Sequence, residues 1–98
     1  MPVHKIRIPD GVAALLRSLH PNLKRKLRAA FRILSTNPYE GKTLRDDLEG
    51  LKSYRIGRFR IIYRVSAKKH IEVVVIGPRK NIYEETLRIL KKEARNKS

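Results

Sequence analysis

The run Val73-Val74-Val75-Ile76 constrains the fold of this chain more than any other segment. Side chains alternate across a strand, so four consecutive branched apolar residues place apolar groups on both faces. Such a strand belongs in the middle of a sheet, covered on both sides. Gly77-Pro78 stops it. A chain of 98 residues has room for one modest core. The expectation is a single domain over residues 1–98, with no repeat or low-complexity segment.

The other elements follow from period and punctuation. Val3 to Ile8 alternates as a short strand, and Pro9-Asp10 ends it, with Asp10 placed to cap a helix. Val12, Leu15, Leu16 and Leu19 recur at helical spacing until Pro21. A second helix opens at Pro21 or Asn22, with Leu23, Leu27, Ala30, Phe31 and Leu34 on its apolar face. So short a break predicts a helical hairpin. Residues 35–50 read as loop, with Asn37-Pro38 and Glu40-Gly41 as turns. Strands are predicted for Leu51 to Ile56, Phe59 to Val65 and Ile71 to Ile76. Gly57-Arg58 joins the first two as a type II′ hairpin turn. Asn81 with Glu84 opens a final helix whose face is Tyr83, Leu87, Leu90 and Ala94; Lys91 to Ser98 is polar and expected to fray. The expected class is α+β: a small antiparallel sheet packed against an N-terminal helical hairpin, with a C-terminal helix, in the order β-α-α-β-β-β-α.

Charge narrows the function. Lys and Arg number 24 against 9 Asp and Glu, a net charge of +15. A small soluble domain typically carries a magnitude of roughly 2–8. Such an excess repels itself unless a polyanion or an acidic protein neutralises it; nucleic acid is the first candidate, since it does so with release of condensed counterions, and the plainer alternative is a charged surface kept for solubility. There is no cysteine, hence no disulfide or thiolate site. No apolar run reaches the ~20 residues of a membrane span, and the N-terminus lacks a signal peptide's apolar stretch. The cytoplasm is the expected compartment. A membrane is not an expected partner, because no helix carries a bulky aromatic lipid-facing stripe. His4, His20 and His70 are scattered and read as structural or surface residues, so neither a metal nor another cofactor is expected.

The hairpin register implied by Gly57-Arg58 sets Arg55 opposite Arg60. Tyr54, Ile56, Phe59, Ile61 and Tyr63 then share the core face, while Ser53, Arg55, Arg60, Ile62 and Arg64 share the other. Like charges directly opposite destabilise a sheet. Either the guanidinium groups splay into water, or an anion sits between them. Arg79 and Lys80, just after the third strand of this group, extend the same basic rim. Tyr83 follows, as a core residue or as a platform on which an unpaired base stacks.

These residues carry a resemblance. Leu44-Arg45, the hairpin from Tyr54 to Val65, and the ending Gly77-Pro78-Arg79-Lys80-Asn81-Ile82-Tyr83 resemble the RelE/ParE toxins of bacterial and archaeal toxin–antitoxin pairs. The RelE branch cleaves messenger RNA in the ribosomal A site without a metal. The resemblance implies that Arg60 holds the phosphate and stabilises transition-state charge. It places Arg79 by the leaving oxygen and Tyr83 on the reacting nucleotide. Arg55 stands where a basic residue helps activate the 2′-hydroxyl. Arg45, Lys52, Arg58, Arg64 and Lys80 would bind messenger or ribosomal RNA. Two departures stand out: Gly57 falls where a lysine is common in RNA-cleaving relatives, and Pro78 where many have a histidine. Arg55 stays protonated and acts by charge alone, leaving Lys52 and Lys80 as the nearby groups that could titrate. The implied partners are a cognate antitoxin protein, acidic and laying an apolar helix on the toxin, together with messenger RNA and the ribosome. The competing readings are a ParE-like protein that poisons DNA gyrase by binding, and an inactive RNA-binding relative.

Overall fold

The structure, a computed structural model, describes residues 4–66, 70–78 and 80–97. The expected strand, helix pair, strands and helix are all present, and the chain is α+β. In chain order they are β1 (Lys5–Arg7), α1 (Asp10–Ser18), α2 (Pro21–Thr36), β2 (Lys42–Thr43), β3 (Lys52–Ile56), β4 (Phe59–Ser66), β5 (His70–Pro78) and α3 (Ile82–Lys97). A single 3₁₀ turn, Asp46–Leu48, precedes β3. The strands form one sheet in the order β1-β5-β4-β3-β2.

The sheet is mixed, which corrects the antiparallel expectation. β1 runs parallel to β5, with Ile6 opposite Ile71, while the other pairs are antiparallel. Alternation along a strand reports which face is buried and carries no information on the direction of its neighbour. The second correction is β2, inside the segment expected to be loop. It is two polar residues, too short to show a period.

β5 lies between β1 and β4, and the sheet is covered on both faces around it. Ile61, Tyr63, Ile71, Val73 and Ile76 face a cluster with Val12 of α1 and Leu27, Ala30 and Leu34 of α2. Ile62, Val74 and Val75 face a second cluster with Leu44, Leu51 and Ile82. A bulge interrupts β4–β5: Ile62 pairs with Val75 and Tyr63 with Val73. Val74 is the extra residue, so Val74 and Val75 turn to the same side.

Four local expectations change. Asp10 is the first helical residue rather than the cap; Pro9 holds that place, and Asp10 acts through its charge at the helix N-terminus. Leu15 is exposed on α1. On α3 the fully buried positions are Ile82 and Thr86, while Tyr83, Leu87 and Leu90 are half-buried and Ala94 is exposed. Thr86 can be buried because its hydroxyl donates to the Ile82 carbonyl at 2.6 Å. α3 stays helical to Lys97, beyond the point where fraying was expected, and Glu93 near its end meets Arg64 at 3.7 Å. His20 does cap α2: its Nδ1 accepts from the Asn22 N–H, with Pro21 at the first helical position. Among the described residues no helix is long and apolar enough to cross a membrane.

Candidate phosphate-binding site

The hairpin has the expected register: Ile56 faces Phe59, Arg55 faces Arg60 and Ser53 faces Ile62. Gly57 has φ +56°, while Arg58 keeps the ordinary negative sign, as a type II′ turn requires. Ile62 belongs to the α3-side cluster, so Ser53, Arg55 and Arg60 lie on that face of the sheet.

Arg60 is the centre of the arrangement. Its Nη1 donates to Ser53 Oγ at 3.0 Å, across the strand and two residues away from its direct partner. Ser53 is buried. Arg60 Nε is buried too, and it has no hydrogen-bond partner. Among the described residues no carboxylate forms an ion pair with Arg60. A guanidinium nitrogen buried with its donor unused is costly, and an anion is one kind of group that would satisfy it. Arg55 beside it is exposed, and its Nε donates to the Gly57 carbonyl at 3.2 Å, which turns it back along the hairpin.

On the other side Arg60 pairs with Gly77 of β5. A Cβ on Gly77 would stand 3.2 Å from Ile82 Cδ1 and 3.8 Å from Glu85 Oε2. The missing side chain lets the first turn of α3 come down onto the sheet next to the Arg60 row. Lys80, exposed, lies between β5 and α3 at this same end. Tyr83 is half-buried against the Leu44–Ile62–Ile82 cluster, so its ring is partly core and partly accessible.

The structure therefore gathers Arg55, Arg58, Arg60, Lys80 and Tyr83 around the hairpin end and the start of α3. Arg79 lies outside the described residues. Arg45 is exposed at the sheet's β2 edge, just before the 3₁₀ turn. Two residues named from the resemblance are placed elsewhere. Lys52 pairs with Tyr63 and Thr43 and so occupies the opposite face. Its Nζ binds Thr43 Oγ1 at 2.9 Å and sits 5.4 Å from the Tyr39 ring centre. Arg64 shares the Arg60 face but is four positions along β4, about 13 Å away at ~3.3 Å per residue. Its Nε binds Glu72 at 2.9 Å and its Nη2 approaches Glu93 at 3.7 Å. Carboxylates already satisfy it, so its role is to tie α3 to the sheet. At about one-third exposure that pair is worth under ~1 kcal/mol. Arg64→Ala is expected to lower stability by no more than that, less so in high salt, and to leave phosphate binding at Arg60 unchanged. Urea melts and a phosphate titration on the same preparation check both points.

The sequence reading missed Ser53 as the partner of Arg60. Its signal was a small polar residue on the Arg55 face, at a position where the strand is otherwise apolar or basic. Among the described residues no group of three or more His, Cys, Asp or Glu side chains gathers as a metal-binding cluster.

Comparison with known proteins agrees with the fold. Residues 10–83 match the family model described as ParE toxin of type II toxin-antitoxin system, parDE. Toxin RelE of Mycobacterium tuberculosis is 40% identical over 79 residues, covering 79% of this chain and 71% of that protein. The RelBE2 toxin–antitoxin complex of the same organism superposes with a TM-score of 0.70 at 28% identity, over 81% of this chain and 94% of that one. The archaeal RelE–RelB complex from Pyrococcus horikoshii OT3 gives a TM-score of 0.63 at 26% identity, over 80% and 97% of the two chains. Isolated E. coli RelE shares the fold, with a TM-score of 0.67 at 17% identity over 89% and 98%. The chain belongs to the RelE/ParE superfamily, the toxins of type II toxin–antitoxin systems. Within it, the chain is similar to RelE proteins in sequence and in fold.

Proposed function

We propose that this chain is a RelE-like endoribonuclease toxin that cleaves messenger RNA at the ribosome without a metal, by attack of a ribose 2′-hydroxyl on the adjacent phosphate. The observation that carries the proposal is the half-used guanidinium of Arg60, anchored on buried Ser53 with its Nε unpartnered. In the reaction the 2′-oxygen bonds to phosphorus and the 5′-oxygen leaves. The products are a 2′,3′-cyclic phosphate and a free 5′-hydroxyl. Negative charge accumulates on the non-bridging oxygens, and preorganised donors aimed there lower the barrier. Arg60 holds that position, with Arg55 adding charge from the next strand. Both arginines act electrostatically, as fixed donors and charges. Tyr83 and Lys80 border the side from which the nucleotide enters, and Arg79, next to Lys80 in the chain, takes the role by the leaving oxygen that the resemblance gives it. Arg45 and Arg58 are exposed and suited to RNA backbone.

A protein antitoxin is the second partner in this proposal. Two of the solved relatives are toxin–antitoxin complexes, and a net charge of +15 favours an acidic chain that covers the basic face. Primer extension on messenger RNA from expressing cells tests the nuclease reading, with end-group analysis of the fragments. Discrete cuts with cyclic-phosphate ends are expected. Intact messenger RNA together with loss of supercoiling would favour the gyrase-poison reading instead.

A further inference from the structure

Lys42 is absent from the residues singled out by sequence, and the sheet register puts it beside Arg60's anchor. β2 pairs Lys42 with Ser53 and Thr43 with Lys52. The bond from Lys52 Nζ to Thr43 Oγ1 shows that Thr43 and Lys52 share the far face. Leu44, two residues beyond Lys42, is buried in the α3-side cluster with Ile62. Lys42 therefore belongs to the face of Ser53, Arg55 and Arg60. The Arg60 guanidinium does not rise over its own partner Arg55. It leans toward Ser53, and so toward the β2 edge on which Lys42 stands exposed. Directly opposed residues lie about 5 Å apart at Cα. A lysine at that distance from Ser53 carries its ammonium on a long flexible stem to the open flank of Arg60.

We infer that Lys42 binds the phosphate next to the scissile one, so that β2 and β4 grip two consecutive phosphates of a single RNA strand across β3. The inference rests on the nuclease reading of the Arg60 site and names a substrate contact within it. Lys42 has no place in the core: it is exposed, and among the described residues no side-chain hydrogen bond or ion pair holds it. Substitution leaves the backbone pairing of β2 available.

The test uses a 2′-O-methyl RNA oligonucleotide, which lacks the attacking hydroxyl, with binding followed by fluorescence anisotropy over a range of KCl. For single strands each phosphate contact contributes about 0.7 to the slope of log K against log[salt]. Lys42→Ala is expected to reduce the slope by about that amount, and Lys42→Arg to restore it. Lys26→Ala, which removes the same charge from the exposed side of α2, should leave it unchanged. On a dinucleotide with one phosphodiester, followed by NMR titration, Lys42→Ala should bind as the unsubstituted protein does while Arg60→Ala still binds more weakly. Equal slopes for Lys42→Ala and Lys26→Ala, with a reduced slope for Arg60→Ala, overturn the inference and leave the nuclease reading standing. A Lys42 effect that persists on the dinucleotide overturns the assignment to the neighbouring phosphate. If Arg60→Ala changes neither slope nor titration, the underlying site reading fails.

Discussion

Arg60→Met is expected to lose RNA cleavage by a factor of about 10² to 10³, and growth arrest with it, while the protein melts no lower than before. The first number is the usual cost of removing one preorganised donor aimed at transition-state charge. The second follows from what Arg60 does in the unliganded fold. Its Nε is buried without a partner, one of its nitrogens holds a serine hydroxyl, and it stands opposite Arg55. Methionine keeps the apolar stem, removes a charge from a chain at +15 and takes a partner only from Ser53 Oγ. A residue kept for folding should destabilise when replaced; one kept for an anion should not. Thermal melts and single-turnover cleavage on one preparation separate the two. A large fall in melting temperature together with normal cleavage would refute the phosphate role.

The second large effect concerns the hinge between the helices and the sheet. Tyr63 is fully buried; its hydroxyl donates to the Pro38 carbonyl at 2.8 Å and accepts from the Gly41 N–H at 3.0 Å. These bonds fasten the turn after α2, in which the Glu40 N–H reaches the Asn37 carbonyl, to the middle of β4. Tyr63→Phe leaves both backbone groups without that partner, at about 1–3 kcal/mol for a buried unsatisfied group. Gly41→Ala is expected to be at least as damaging. A Cβ there would stand 2.5 Å from Tyr63 Oη and 3.0 Å from the Ser53 carbonyl oxygen. The side chain cannot retreat into a packed core, and overpacking typically costs about 1–3 kcal/mol. For a domain this size each kcal/mol lowers the melting temperature by roughly 4–8 °C. Because the collision involves Ser53's own backbone, Gly41→Ala should also weaken RNA binding through Arg60. Equal melting of the variant and the unsubstituted protein would remove the Tyr63 anchor from the account.

Tyr63 also predicts an alkaline limb. Burial pushes its phenol above the ordinary value near 10, against a smaller opposing effect of the Gly41 N–H. The neutral form is favoured in the folded state, and the unfolded chain ionises first. The contribution of Tyr63 is therefore fully present below about pH 10 and is lost as pH rises through the folded value. Tyr63→Phe should flatten that part of the stability curve while lowering the plateau. A curve of unchanged shape would show that the phenol does not titrate with unfolding.

Much of this molecule was legible in one dimension because its determinants are local. The Val73–Ile76 run demanded a strand covered on both sides, and Gly57-Arg58 set the register that puts Arg55 against Arg60. Pro21 marked the start of α2. These depend on period and on backbone preferences carried by single residues. What failed depended on partners far away in sequence. β1 reads as a strand of an antiparallel sheet, and its parallel direction is set by β5, where Ile6 lies opposite Ile71. Lys52 reads as one more cation of the basic rim until β2 and Tyr63 show which face it occupies.

The sequence by itself determined a basic α+β domain with two arginines opposed on a hairpin, because charge, alternation and turn chemistry are properties of neighbouring residues. Only the tertiary structure decided which cations act together. Arg64 is withdrawn by Glu72 and Glu93, Lys52 is turned to the far face, and Ser53, with Lys42 opposite it on β2, anchors Arg60. The physical reason is desolvation. A guanidinium acquires its need for an anion from what buries it and from which of its donors are left over, and both follow from the order in which strands lie side by side.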